Sequence, residues 1–411
     1  MTDRNYHLGD VEINELLIYS ERGSTQLRGS FVSASIYESI FTPGIVCDIK
    51  VLDMNDQLGQ LRLVGDEFVL FDISVMGSER APYIFALHEL AELENVGAQK
   101  GKMYILKCVS EEAMHAKTNI VQKSYNQLCS EIIQDIFTNY LKSTKPIEIE
   151  TTRAPQRIIV PSRNPYEAVN LVRRRAVSSE RRSSLYMFFE NRRNEQQTFN
   201  FVTVESLFSA PTVKDFQMSD AANITIRRRG DDNIIAFRIP NQFSSTDRIS
   251  SGGPRRITTF NFTTWDYQSQ IVETNEASFA DGGSGTLTSQ SFRNRYLRTD
   301  SPPQSVIPVD ISQRPETFIP DSTPDLQAFI ALMVQNSVKI KVIGDTILTA
   351  GATINCELPN RRAFTGAPAE DPLISGKFLI TRIHHRIGEL ADQPRYTCTV
   401  EAIKGRYEES I

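Results

Sequence analysis

The sequence predicts a mainly β protein with an α+β middle, and three observations carry that expectation. Apolar residues alternate with a period of two near both ends of the chain. Between about residues 124 and 178 the period lengthens to that of a helix, with cap signals in place. The composition is that of ordinary globular domains, with 40% hydrophobic and 23% charged residues over 411 positions, and at roughly 150 residues per domain it predicts two to four folding units.

At the N-terminal side, Ile45-Val46-Cys47-Asp48-Ile49-Lys50-Val51-Leu52 carries Ile, Cys, Ile and Val on one side and Val, Asp, Lys and Leu on the other. That is the pattern of a strand with one buried face. Further strands are expected at Gln60 to Val64, Phe68 to Val75, Tyr83 to Leu87 and Met103 to Val109. Short strands with Asp, Asn and Gly between them predict a small antiparallel barrel or sandwich up to about residue 110.

The first helix is expected to start at Ser124, with Gln127 three residues on and Leu128, Ile132, Ile133, Ile136, Phe137, Tyr140 and Leu141 on one stripe. A second has Asn164 as cap, Pro165 at its first position and Glu167 to complete a capping box before Val169, Leu171 and Val172. Ser184 to Phe189 and Thr198 to Val204 flank the polar run from Glu190 to Glu195 and predict a hairpin with a longer loop. Strand-like runs recur at Ile234 to Ile239 and Ile257 to Trp265. Asp281 to Gly285 and Ser301 to Pro320 have loop or linker composition. A third helix is expected after Thr323, and strands return at Lys339 to Ile343, Ala352 to Leu358, Lys377 to Ile383 and Tyr396 to Ala402.

Charge is unevenly placed. The whole chain has a net charge of -5, yet residues 151 to 230 hold 14 basic and 7 acidic side chains, while residues 1 to 110 hold 9 basic and 16 acidic ones. Such asymmetry predicts surfaces that face different neighbours. The opening MTDRNYHLGD lacks the basic and apolar regions of a signal peptide, and no stretch is long and apolar enough to predict a membrane span. Cys47, Cys108, Cys129, Cys356 and Cys398 are odd in number, widely spaced and free of any Cys-x-x-Cys, which predicts neither a disulfide framework nor a zinc ribbon.

Catalytic patterns are absent from the sequence. His7, His88, His115, His384 and His385 form no His-Glu-x-x-His or other compact ligand spacing, and adjacent His384 and His385 face opposite sides of a strand. Gly282-Gly283-x-Gly285 lacks the Gly-Lys-Ser/Thr of a phosphate loop, and no Gly-x-Ser-x-Gly elbow occurs. No catalytic residue, metal site or cofactor is therefore expected. The arginine groups Arg173, Arg174 and Arg175, Arg181 and Arg182, Arg192 and Arg193, and Arg227, Arg228 and Arg229 are candidates for a protein interface. They are spread over different elements without interleaved stacking aromatics, which favours ion pairs and protein contact over a nucleic-acid module.

One stretch has a specific likeness. Asn164-Pro165-Tyr166-Glu167-Ala168-Val169-Asn170-Leu171, the following Arg173 to Ser178, Ser184 to Asn191 and Phe199 to Leu207 resemble the baseplate hub proteins of contractile-tailed bacteriophages. Ser375 to Ile383, His385, Tyr396 and Cys398 are similar to the last strands of such a hub's second barrel. The resemblance covers about residues 10 to 405. It implies two antiparallel β-barrel domains: a first at 1–110 and a second assembled from 211–238 and 320–405. Between them it implies a mixed domain at 111–210, extended by an insertion at 239–319, with a tail at 406–411.

As function, the resemblance implies a structural hub in the tail baseplate of a virion, assembled in the host cytoplasm, with no enzymatic activity. Three chains would place six barrels in a ring joining the sixfold tail tube to the threefold central spike. The partners implied are itself as a homotrimer, the central spike protein, a tail tube or tube-initiator protein and baseplate wedge proteins, with duplex DNA passing through without tight binding. The N-terminal excess of acid further predicts an acidic or nearly neutral channel, and the basic middle would then face proteins. Another virion-associated ring adaptor is the alternative, followed by a nucleic-acid-binding module using the arginine groups.

Overall fold

The computed structural model describes residues 9–55, 57–61, 63–75, 80–96, 101–180, 183–193, 195–218, 232–240, 255–261, 265–272, 304–308, 329, 337–359, 374–388 and 396–404. The N-terminal part contains β1 (Val11–Ser20), β2 (Gly23–Gln26), β3 (Phe31–Ser39), β4 (Val46–Asp53), α1 (Gln57–Leu61), β5 (Phe68–Val75), β6 (Ala81–Val96) and β7 (Gly101–Val109). The middle contains α2 (Glu111–Thr118), β8 (Val121–Leu128), α3 (Cys129–Asp135) running into a π-helical turn at Ile136–Tyr140, β9 (Ile147–Ile149), β10 (Pro155–Arg163), α4 (Pro165–Arg173), β11 (Tyr186–Arg193), β12 (Gln196–Thr203) and α5 (Val204–Ser209). Then follow β13 (Thr212–Gln217), β14 (Ile234–Arg238), β15 (Arg255–Asn261), β16 (Asp266–Val272), β17 (Gln304–Pro308), β18 (Ser337–Ile343), β19 (Thr353–Glu357), β20 (Gly376–Gly388) and β21 (Tyr396–Lys404). The protein is predominantly β, with a small α/β region in the middle.

The two ends of the chain share one sheet. Its strand order is β14-β18-β21-β20-β3-β4-β7-β6-β5-β1-β2, with β19 also paired to β20 and β13 to β19. The link between the ends is the antiparallel pair β3–β20, in which Tyr37 stands opposite His384 and Ser35 opposite Arg386. An isolated bridge between Gln217 and Asn233 ties the end of β13 to the approach of β14. The inward side chains of both ends make one core, including Leu16, Ile36, Ile49, Phe71 and Phe85 from the first part and Ile340, Ile354, Ile383 and Val400 from the last. Burial on one face only is what the period-two alternation demands.

The middle has its own core of Tyr125, Ile132, Ile133, Phe137, Val169, Val172, Phe188, Phe199 and neighbours. α4 forms as its sequence dictates: the Asn164 side chain accepts a hydrogen bond from the Glu167 N–H at 2.9 Å, Pro165 needs no partner, and Ala168, Val169 and Val172 are buried. The hairpin β11–β12 is buried on both faces, one in this core and the other in a third cluster that joins it to the large sheet through Met187, Phe189, Val202, Leu207, Leu379 and Ile403.

Several expected elements differ. Ser124 does not cap a helix; it lies in β8, opposite Ile159 of β10, and α3 begins only at Cys129, where the Glu131 carboxylate accepts from the Leu128 N–H at 3.2 Å. The strand expected at Gln60 to Val64 is not formed among the described residues: Gln57–Leu61 is a short helix, entered where the Asp53 carboxylate accepts the Asn55 and Gln57 N–H groups and turns the chain. The polar run from Glu190 is not a long loop. β11 continues to Arg193, which pairs with Gln196, and Glu195 at φ 63° makes a tight turn. Within 301–320, Gln304–Pro308 forms a strand parallel to β15. The helix expected after Thr323 and the run at 281–285 lie outside the described residues, apart from Phe329.

Candidate interaction surfaces

The clustered arginines are dispersed by the fold. Arg173, at the end of α4, turns inward and donates to the Tyr186 carbonyl at 3.4 Å, and burial together with Arg174 lowers its pKa. Arg174 is exposed, and Arg175 donates to the Arg157 carbonyl at 3.3 Å. Adjacent residues in a strand face opposite sides, so Arg192 and Arg193 separate. Arg192 is only 5% exposed and its guanidinium donates to the Thr346 and Arg80 carbonyls, whereas Arg193 pairs with Glu148 at the surface. Arg181, Arg182, Arg227, Arg228 and Arg229 lie outside the described residues.

A buried polar seam fastens the middle to the large sheet. Glu190, fully buried on β11, accepts from the Lys145 ammonium at 2.7 Å, from the Gln197 amide at 3.0 Å and from the Ser110 hydroxyl. Lys145 also reaches Glu112 at 2.8 Å. Burial raises the pKa of Glu190, and Lys145 opposes that shift. A neighbouring group centres on Glu38 of β3, which accepts the Ala350 N–H at 3.0 Å and a hydrogen bond from Tyr83 at 3.5 Å. Burial raises its pKa to about 7 against the opposing Ala350 N–H and Arg192 charge. Asn191 donates to the Ala350 carbonyl at 2.8 Å, so the same loop is held from two strands.

Further along, His385, Tyr396 and Cys398 cluster beside Asp345. The His385 Nδ1 lies 2.8 Å from the Tyr396 hydroxyl and 3.3 Å from the Cys398 sulfur. Burial lowers the His385 pKa to about 3 and pushes the Cys398 thiol up to about 12. At neutral pH the pair is therefore a neutral imidazole beside a neutral thiol, without the thiolate that nucleophilic chemistry requires. Among the described residues no group of three or more His, Cys, Asp or Glu side chains is placed to hold a metal ion, and no described helix is long and apolar enough to cross a membrane. A cleft of about 590 Å³ opens beside Arg192, lined also by Asn191, Asp345 and Thr353. Lys214 and Asp345 pair across 2.6 Å at its side.

The outward face of the large sheet is ordered in rows by its strand pairing. Cross-strand register aligns Arg238, Lys339, Glu401, Arg382 and Ser39 in one row. The next row is Ala236, Lys341, Thr399, His384, Tyr37, Val46, Val109, Ala86, Phe68 and Tyr19. A third holds Thr397, Arg386, Ser35, Asp48, Lys107 and Glu89. The cations gather on the C-terminal strands. The second row turns apolar on the N-terminal ones, where Tyr37 is 41% and Tyr19 45% exposed. His384 stacks on Tyr37 with centroids 4.3 Å apart, so the second row continues across the β3–β20 junction. This arrangement escaped the sequence reading. Its signal was the period-two spacing of Lys339 with Lys341 and of Arg382, His384 and Arg386.

The sequence matches no known protein family and no curated protein. Its fold does have likenesses among solved structures. The chain is similar to the tail protein from Neisseria meningitidis MC58, with a TM-score of 0.54, 8% identity and 96% of this chain and 97% of that one covered. It is equally similar to the 43 kDa tail protein of prophage MuSo2 from Shewanella oneidensis, with a TM-score of 0.54, 10% identity and coverage of 95% and 98%. The Francisella PdpA-VgrG complex gives a TM-score of 0.50 at 11% identity, with 98% of this chain matching 59% of that one. Across almost its whole length, this chain has the fold of these tail proteins.

Proposed function

We propose that the chain is a structural hub of a phage tail baseplate, acting as a homotrimeric ring between the sixfold tail tube and the threefold central spike. The observation that carries the reading is the pairing of β3 with β20, which sets the N-terminal and C-terminal β units side by side in one sheet. Two comparable units per chain let three chains offer six contacts around a closed ring, leaving no heterologous surface unpaired. The whole-length likeness to two tail proteins supports the same reading.

In this reading the β units are barrels, the first at 1–110 and the second at 211–238 with 320–405. The mixed domain at 111–210 and the insertion at 239–319 stand outside the ring toward baseplate wedge proteins. Arg174 and Arg193, the exposed members of the described arginine groups, belong to those outer faces. The hub works without catalysis, in the virion, by holding its neighbours and leaving a passage for DNA.

The test is light scattering of the chain co-expressed with the spike protein of its own tail. The proposal expects three copies of this chain per complex, about 139 kDa or three times 46.4 kDa. A chain that stays monomeric at micromolar concentration beside that spike overturns it.

A further inference from the structure

We propose that the cleft beside Arg192 binds a carboxylate carried on an apolar body, either a small organic acid or the free carboxyl end of a polypeptide. The site stands apart from the ring reading and needs no second copy of the chain.

Arg192, at the end of β11, lines the cleft and is only 5% exposed. Its guanidinium donates to the Arg80 and Thr346 carbonyls but makes no ion pair among the described residues, and its Nε is buried without a hydrogen-bond partner. Buried charges are ordinarily paired and buried N–H groups ordinarily bonded, so this side chain lacks both an anion and an acceptor. Glu38, whose charge acts on Arg192, answers it only in part: burial raises that carboxyl to about 7, which leaves it partly protonated at neutral pH. A carboxylate supplies the missing charge and the missing acceptor together, and it matches the planar fork of a guanidinium.

The rest of the lining decides what the carboxylate is attached to. Thr212 of β13 stands opposite Thr353 and Lys214 opposite Ile354, so Val213 is an extra residue, a bulge that re-aims its side chain to the cleft. Val213 is 38% and Ile347 50% exposed, and Pro211 extends this apolar side of the lining. Asp345 also lines the cleft, but Lys214 at 2.6 Å and the Ile347 N–H at 3.1 Å offset its charge against an incoming anion. A phosphate brings a second charge that the neighbouring cations do not meet, since Arg193 is paired with Glu148 and Lys214 with Asp345. The volume of about 590 Å³ falls in the range of small-ligand sites, roughly 300 to 1,000 Å³, which join an apolar lining to a few fixed polar groups.

The experiment is calorimetric titration of the full chain near neutral pH with the peptide Gly-Ser-Gly-Ala-Leu bearing a free carboxyl end, the same peptide amidated, and N-acetylleucine. The free-carboxyl peptide should bind at least about tenfold more tightly than the amide, because the charged hydrogen bonds to Arg192 are lost in the latter. Ile347→Glu, at a half-exposed position, should abolish binding while circular dichroism shows the fold intact. Arg192→Gln should also abolish it, and Arg192→Lys should recover part of the affinity. If the Arg192 variants unfold, Ile347→Glu decides. N-acetylleucine binding as tightly as the peptide assigns the site to free acids, and tighter binding of the peptide assigns it to a chain end; either result bears the site out. Equal affinity for acid and amide, no saturable heat with either acid up to about 1 mM, or unchanged affinity in Ile347→Glu overturns the inference.

Discussion

β11 and β20 both carry charges in the sequence, but they use them in opposite ways. On β11, Glu190, Asn191 and Arg192 are consecutive and all buried, each matched to partners from a different part of the chain. On β20, Arg382, His384 and Arg386 are spaced by two, share the outward face and alternate with buried Ile383, His385 and Ile387. A run of adjacent polar residues in a strand thus belongs to two faces at once, and it is tolerated only where both faces are sheltered by partners. A period-two series belongs to one face and can make a surface. The difference predicts that changes to the buried charges of β11 act on folding, while changes to the outward charges of β20 leave the fold largely intact.

The largest effect that would break this comparison is an unpaired charge in the middle core. Val172→Asp should cost about 5 kcal/mol, because Val172 is fully buried among the apolar side chains of the middle core. Arg174→Ser on the exposed side of the same helix should cost less than about 0.5 kcal/mol, and equal midpoints in denaturant for the two variants would show the face to be misassigned. Lys145→Met comes next, at about 4 kcal/mol, since it leaves the Glu112 and Glu190 carboxylates buried against each other. Adding Glu190→Gln should recover part of that loss, which a double-mutant cycle would measure.

Two buried groups sharpen the comparison through pH. Glu38 has its folded pKa raised to about 7 from 4.5, so its protonated form is favoured in the folded state. Its contribution is fully present below pH 4.5 and is lost as pH rises through about 7, roughly 3 kcal/mol at ~1.4 per unit. His385 is lowered to about 3 from 6.5, so its contribution is present above 6.5 and is lost as pH falls toward 3. The two slopes oppose each other between 4.5 and 6.5. Glu38→Gln should remove the loss on the alkaline side and leave the acid loss intact, as read from urea midpoints across pH. The smallest effect belongs to the surface pair: Arg193→Ala should cost less than about 1 kcal/mol, because both it and Glu148 are half exposed.

Much of the architecture was legible. Period-two alternation at Ile45 to Leu52 marked β4, and Asn164-Pro165-x-Glu167 marked the start of α4. Local signals failed where a distant partner decides. Ser124 looks like a cap, yet β10 recruits its segment as a strand. Glu190 to Arg193 look like a loop, yet Lys145, Ala350 and Thr346 satisfy them from far along the chain. The joining of the two ends through β3 and β20 has no local signature, because Tyr37 and His384 are separated by most of the sequence. For the same reason the arginine clusters drew attention, while the cationic rows assembled across four strands did not.

The ring is tested most directly by electron-microscope class averages of the chain bound to its spike protein. The account predicts a closed ring of three copies with six similar lobes around an open centre, one pair of lobes for each β3–β20 junction. A complex with a single copy, or an open filament of copies, would contradict it.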